Sequence, residues 1–328
     1  MREGHLSGAF FSIWVDPRRY PGEEGWARAQ ALVQSVREMV DAHPSELALC
    51  TTAAQVRAAH ASGRLAILMG VEGAHALGDA PVEELLARLD QLHALGARYL
   101  TITWTNDNVF GHASTGAHPT RGLTDAGREL VRHMNALGMI VDVSHVSDRT
   151  FFDAIEVSRR PLLASHSATR ALADHPRNMT DAMIRALADH GGAICINDYA
   201  QFVDADYGRA RRAADEAHRA ELDALPPGRS WSTSAARNAL IHQLEPDLHA
   251  PTLTQLGAHF AHVVELTSAE HVCLGSDFDG VGELPVGLDD AAHLPALYAE
   301  LERRGLPLAP ILGENVLRIL AANEDPSP

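Results

Sequence analysis

Two apolar runs, each closed by a Ser-His pair, constrain this chain more than any other feature. Met139-Ile140-Val141-Asp142-Val143 leads into Ser144-His145, and Pro161-Leu162-Leu163-Ala164 leads into Ser165-His166. Between them, residues 148–159 predict one amphipathic helix with Phe151, Phe152, Ile155 and Val157 as its apolar residues. Residues 138–167 thus read as strand–helix–strand with an imidazole at the carboxyl end of each strand. Units of this kind build parallel sheets, and in a parallel barrel those ends form the rim that carries the active site. Two imidazoles on such a rim predict a metal.

The same alternation runs through the rest of the chain. Strands are predicted at residues 8–15, 65–71, 99–103, 193–197 and 271–275. Helices are predicted at 26–42, 52–62, 81–95, 124–137 and 181–190, with Gly63 and Gly96 as stops. Apolar strands alternating with helices give the fold class as α/β, a TIM-like (β/α)8 barrel. The count is about seven strands, short of the eight of a closed barrel, and the shortfall lies at the front. One domain over residues 1–328 is expected, with an Arg-, Ala- and Glu-rich excursion at 204–250 that contains Pro226-Pro227-Gly228. That excursion predicts helices at the barrel mouth or at an oligomer contact.

Composition excludes several functions. A net charge of −16 argues against nucleic acid, because neutralising phosphates takes basic clusters. No apolar run approaches the roughly 20 residues that span a bilayer. Cys50, Cys195 and Cys273 show no CxxC spacing, so neither a disulfide framework nor a zinc–thiolate site is expected. The N-terminus lacks an apolar signal-peptide core, which makes the expected location cytoplasmic, or periplasmic or secreted should a further segment precede Met1.

Four strand ends carry residues that bind metals or move protons: Glu72, His145, His166 and Asp277. Imidazole nitrogen and carboxylate oxygen are good zinc ligands, and an open coordination position acidifies bound water. A lone strand-end histidine is more often a hydrogen-bonded structural residue, and the chain has 19 histidines. The argument for a site is the recurrence of such residues at equivalent positions.

The runs Gly70-Val71-Glu72-Gly73, Tyr99-Leu100-Thr101-Ile102-Thr103, Asp142-Val143-Ser144-His145-Val146-Ser147, Ser165-His166-Ser167, Pro176-Arg177-Asn178 and Gly275-Ser276-Asp277-Phe278-Asp279-Gly280 resemble the renal (membrane) dipeptidase family of zinc metallopeptidases. The resemblance implies a dipeptide substrate and two zinc ions in the family. It implies that Glu72 bridges the ions and that His145 and His166 complete the second zinc site. It further implies that Arg177 binds the terminal carboxylate of the substrate and that Asp277 exchanges a proton with the attacking water and the leaving amine. Trp104 stands where the family often has a substrate-contacting histidine, and Trp104 and Asn108 on that loop are expected to face the substrate. A second departure concerns the H-x-D ligand pair of the family's first strand, which occurs nowhere upstream of Glu72. One zinc ion or none, and impaired dipeptidase activity, are therefore expected of a chain that lacks this first strand. The alternatives are a non-catalytic relative binding a small ligand or a partner, and an amide or lactone hydrolase on the same scaffold. A homodimer is a further expectation.

Overall fold

The computed structural model describes residues 1–226 and 230–324. The chain forms two compact units: one of Leu6–Ser165, Arg185–Ala193 and Glu314–Pro328, the other of Met1–His5, His166–Ile184 and Ile194–Gly313.

The first unit is built on parallel strands. β1 (Gly8–Trp14), β2 (Leu47–Leu49), β3 (Leu65–Glu72), β4 (Ala97–Thr101) and β5 (Ile140–Asp142) lie in it, and β6 (Leu163–Ser167) begins in it. Six successive residues of β3, Ala66 to Val71, are buried, as expected of a strand covered on both faces. β1 pairs with β3 along its full length, from Gly8↔Ala66 to Trp14↔Glu72. The other side of β3 is shared: β2 pairs with Leu65–Ile67 and β4 with Met69–Val71, with a register shift between Met69 and Gly70. Gly70 is required there, since a Cβ would stand 1.9 Å from the Tyr99 ring. β2 is a strand that the sequence count misses. Three partly buried residues are too short a run to show alternation, and tertiary pairing with β3 makes them a strand.

The helices of this unit are set by their termini. The Thr52 side chain accepts from Gln55 N–H to start Ala53–Ala61, and Thr124 accepts from Gly127 N–H to start Asp125–Leu137. Gly138, at φ 75°, closes the latter in the left-handed conformation. Ser147 caps Asp148–Val157, where Phe151 and Ala154 are buried. Phe152, expected on the same apolar face, is 41% exposed and points outward. The second predicted strand of the opening motif is displaced: β6 starts at Leu163 and includes Ser165, His166 and Ser167.

In the second unit, β7 (Ala193–Ile196, entered from the first unit at Ala193) pairs in parallel with β8 (Val272–Leu274). The Asn197 N–H donates to the Ser167 carbonyl, extending the pairing to the end of β6. The in-register pairing sets Cys195 opposite Cys273, and the two form a disulfide, which corrects the expectation of unpaired thiols. Seventy-eight residues separate them, so local spacing could not signal the bond; only strand register does. The predicted excursion is helical at Ala205–Ala217, Arg219–Asp223 and Ser230–Leu244. Ala214, Leu222 and Ile241 form a small core of their own there, with Leu225, Leu240 and Leu248 packed against it. Pro227 and Gly228 lie outside the described residues. No described helix is long and apolar enough to cross a membrane.

Candidate metal and substrate site

In the first unit, β3 delivers Glu72 and β5 delivers His145. Their side chains meet, His145 Nε2 lying 3.2 Å from Glu72 Oε1, and the other carboxylate oxygen accepts from Ser12 Oγ at 3.1 Å. Both groups are nearly withdrawn from solvent, at 8% and 13% exposure. His145 takes the left-handed backbone conformation, φ 68°, a strained choice for a residue with a Cβ. Such strain persists only where surroundings over-determine it, and it clusters at functional sites. Here the surroundings are visible: the Ser114 N–H donates to His145 O, and Ala113 bridges to Val146.

Beneath this turn sits Asp142, fully buried. It accepts from Thr101 Oγ1 (2.5 Å), the Ser144 N–H (3.1 Å), the Ser165 N–H (2.9 Å) and Ser165 Oγ (2.6 Å). One carboxylate therefore fixes the ends of β4, β5 and β6 together. Trp104 stacks near both Trp14 and His145, with ring centroids 5.1 and 6.4 Å away. The amide of Asn108 is engaged within its loop, donating to Ile102 O and accepting from the Phe110 and Gly111 N–H groups. His75 Nε2–H donates to Val15 O at 2.8 Å, and burial pushes its imidazole pKa down despite nearby Glu72. An open cleft of about 290 Å³ in this unit is lined by His75, Asn106, Asp107 and Asn108, among others, and not by Glu72 or His145.

In the second unit, Arg177 is buried to 5% exposure, unlike an ordinary surface-loop arginine. Its Nη2 donates to His166 O at 3.1 Å, and its guanidinium lies 5.4 Å over the Phe202 ring. The Arg177 N–H donates to His175 Nδ1, and burial, then the charge of Arg177, lowers the His175 pKa to about 4. Asp277, following β8, also has left-handed backbone (φ 58°), and Asn197 Nδ2 donates to its Oδ2 at 3.0 Å. Gly280 leaves room for this carboxylate, because a Cβ there would fall 2.2 Å from Asp277 Oδ1 and push it aside. Neighbouring Asp198 is 1% exposed with no hydrogen-bond partner for either carboxylate oxygen among the described residues. Desolvation, reinforced by Asp277, raises its pKa to about 8, so it is largely protonated at neutral pH.

The structure thus joins Glu72 to His145, His166 to Arg177, and Asp277 to Asn197. Sequence reasoning missed Ser12, Asn197 and Asp198. For Asp198 a signal exists, an acidic residue two positions past an apolar strand, but Ser12 reaches Glu72 only through the pairing of β1 with β3.

Parallel strands whose carboxyl ends present carboxylates and imidazoles define an α/β scaffold of the TIM-like barrel class. The crystal structure of the probable dipeptidase PvdM from Pseudomonas aeruginosa matches this chain with a TM-score of 0.83 at 25% identity, covering 99% of this chain and 88% of that one. A metallopeptidase from Rhodobacter sphaeroides, solved with a phosphinate mimic of the dipeptide L-Ala-D-Ala, matches with a TM-score of 0.77 at 28% identity over 98% and 88%. An uncharacterized dipeptidase of Schizosaccharomyces pombe is 30% identical over 99% of this chain and 72% of its own length. Dipeptidase verJ of Clonostachys rogersoniana is 29% identical over 100% and 75%. The family model for membrane dipeptidase, peptidase family M19, matches residues 1–327, and the chain belongs to that family of metallo-dipeptidases.

Proposed function

We propose that this chain is a zinc-dependent dipeptidase in which Glu72, His145 and His166 hold one zinc ion, Arg177 receives the substrate's terminal carboxylate and Asp277 carries the proton. The observation that carries the reading is the buried contact of His145 Nε2 with Glu72 Oε1 at 3.2 Å. Zinc bonds of about 2.0–2.2 Å to such atoms put neighbouring tetrahedral ligands about 3.3 Å apart, so this pair fits an ion without rearrangement. One carboxylate and two imidazoles are ligand types that zinc takes, and three such ligands leave a fourth coordination position open.

A bound zinc ion supplies Lewis-acid polarisation of the scissile carbonyl and acidifies water at neutral pH. The protein's own groups do the rest. Ser12 holds one oxygen of Glu72 and leaves the other directed at His145. The planar guanidinium of Arg177 presents a fork suited to a carboxylate, pinned by the His166 carbonyl and the Phe202 ring. Asp277, oriented by Asn197, takes a proton at a carboxylate oxygen and returns it to the leaving amine. Trp104 packs beside His145, ring centroids 6.4 Å apart, and its loop, organised by Asn108, would face the dipeptide.

The test compares wild type, His145→Ala and Asp277→Asn for zinc content and for hydrolysis of L-Ala-D-Ala and L-Ala-L-Ala. His145→Ala should lose one zinc equivalent together with turnover. Asp277→Asn should keep its zinc while turnover falls by about 10³-fold. Unchanged turnover in Asp277→Asn would remove Asp277 from the reaction, and no turnover by wild type at full zinc loading favours a non-catalytic binding protein.

A further inference from the structure

The loop between β4 and the helix Asp125–Leu137 gathers a second group of metal-competent side chains. Asp107, His112 and His118 each offer a ligand atom, and all three atoms lie within 4.8 Å of one another. Their orientation is fixed by the surrounding backbone. Asp107 Oδ1 accepts from the Ala113 N–H at 2.9 Å and Oδ2 from the His118 N–H at 3.0 Å. Gly116 presses against the same carboxylate, where a Cβ would come within 2.1 Å of Oδ1. His112 Nδ1 lies 2.7 Å from Gly122 O, so Nδ1 carries the hydrogen and Nε2 keeps its lone pair. A backbone carbonyl orienting the far nitrogen of an imidazole is the arrangement that supports metal-ligating histidines. His118 Nδ1 lies 2.9 Å from Asp107 Oδ2, and the two histidine rings stand edge to face with centroids 5.7 Å apart.

The geometry points to a structural divalent-metal site at Asp107, His112 and His118, of the zinc class, separate from the Glu72–His145 pair. Two imidazoles and one carboxylate are the ligand types that zinc takes, and the 2.9 Å between His118 Nδ1 and Asp107 Oδ2 has to open by only ~0.4 Å to match the edge of a tetrahedral site. His118 is 49% exposed, so an ion enters from solvent and water fills the remaining position. The consequence falls on the loop. The Ser147 N–H donates to His112 O and the Ser114 N–H to His145 O, so the metal would clamp residues 107–118 onto the turn that holds His145. The ordinary alternative is a hydrogen-bonded Asp–His pair on a surface loop, worth at most about 1 kcal/mol.

Metal content separates the two. Wild type, His118→Ala, His112→Gln and His145→Ala are stripped with chelator, reloaded with Zn²⁺ alone, freed of excess by gel filtration and analysed for zinc per chain. His118→Ala and His112→Gln should each carry one equivalent less than wild type. His145→Ala should retain the equivalent that they lose. His118 is half exposed, so its truncation leaves the fold intact by circular dichroism. Equal zinc in wild type and both loop variants overturns the site. That result would leave the reading of Glu72, His145 and His166 untouched, because it is scored on different variants.

Discussion

Asp142 concentrates the organising chemistry of the first unit at one residue. Four donors from three strands converge on it, and the Ser-His pairs are held through it. Asp142→Ala strands buried donors at the ends of β4, β5 and β6, each costing about 1–3 kcal/mol. The expected loss is about 3 kcal/mol or more, read by urea denaturation. Asp142→Asn, which keeps an acceptor oxygen, should lose less. The Ser-His pairs stand out in the sequence as possible ligands. Their serines owe their importance to a carboxylate that sits inside an apolar run and reads there as an oddity in a strand.

At the scale of the element, the helix Asp125–Leu137 and its closing glycine illustrate how local sequence and tertiary packing divide the work. The sequence predicts a helix over residues 124–137, and in the structure Thr124 and Gly138 cap its two ends. Packing adds a constraint that local reading lacks: a Cβ at Gly138 would lie 2.6 Å from the carbonyl oxygen of Asn323. Gly138→Ala therefore combines left-handed strain with a backbone clash and should cost about 2 kcal/mol or more. Thr124→Ala, which loses only the cap, should cost about 1 kcal/mol. Thermal midpoints of the two variants should fall in that order, and the reverse order would mean the Asn323 approach is not rigid. The neighbouring helix Asp148–Val157 shows the limit of periodicity. Phe151 and Phe152 are chemically equal in the pattern, yet one is buried and the other exposed, since only the facing surface selects between them.

For the whole molecule, the buried Asp198 carboxyl links folding to pH. Its pKa is raised from the ordinary 3.8 to about 8, so between those values the folded chain holds a proton that the unfolded chain releases. The sign follows: this group's contribution is fully present below pH 3.8 and is lost as pH rises toward 8. Asp198→Asn removes the titration and keeps the shape. The variant should gain stability over wild type with rising pH, on the order of 4 kcal/mol by pH 7 and about 3 kcal/mol of it between pH 5 and 7, measured as the difference between their denaturation curves from pH 5 to 8. A constant difference across that range would show that Asp198 ionises normally in the folded chain.

The sequence by itself determined the α/β class, most of the strands and helices, and the identity of Glu72, His145, His166, Arg177 and Asp277 as residues of interest. It could do so because strand ends, caps and apolar periodicity are local, and because the family's runs stand in order along the chain. Tertiary structure decided the rest. It turned Leu47–Leu49 into a strand, placed Ser12 on Glu72 and Asn197 on Asp277, buried Arg177, and set Cys195 opposite Cys273. Each of these depends on the register between segments far apart in sequence, and register is fixed by packing, which no local pattern records.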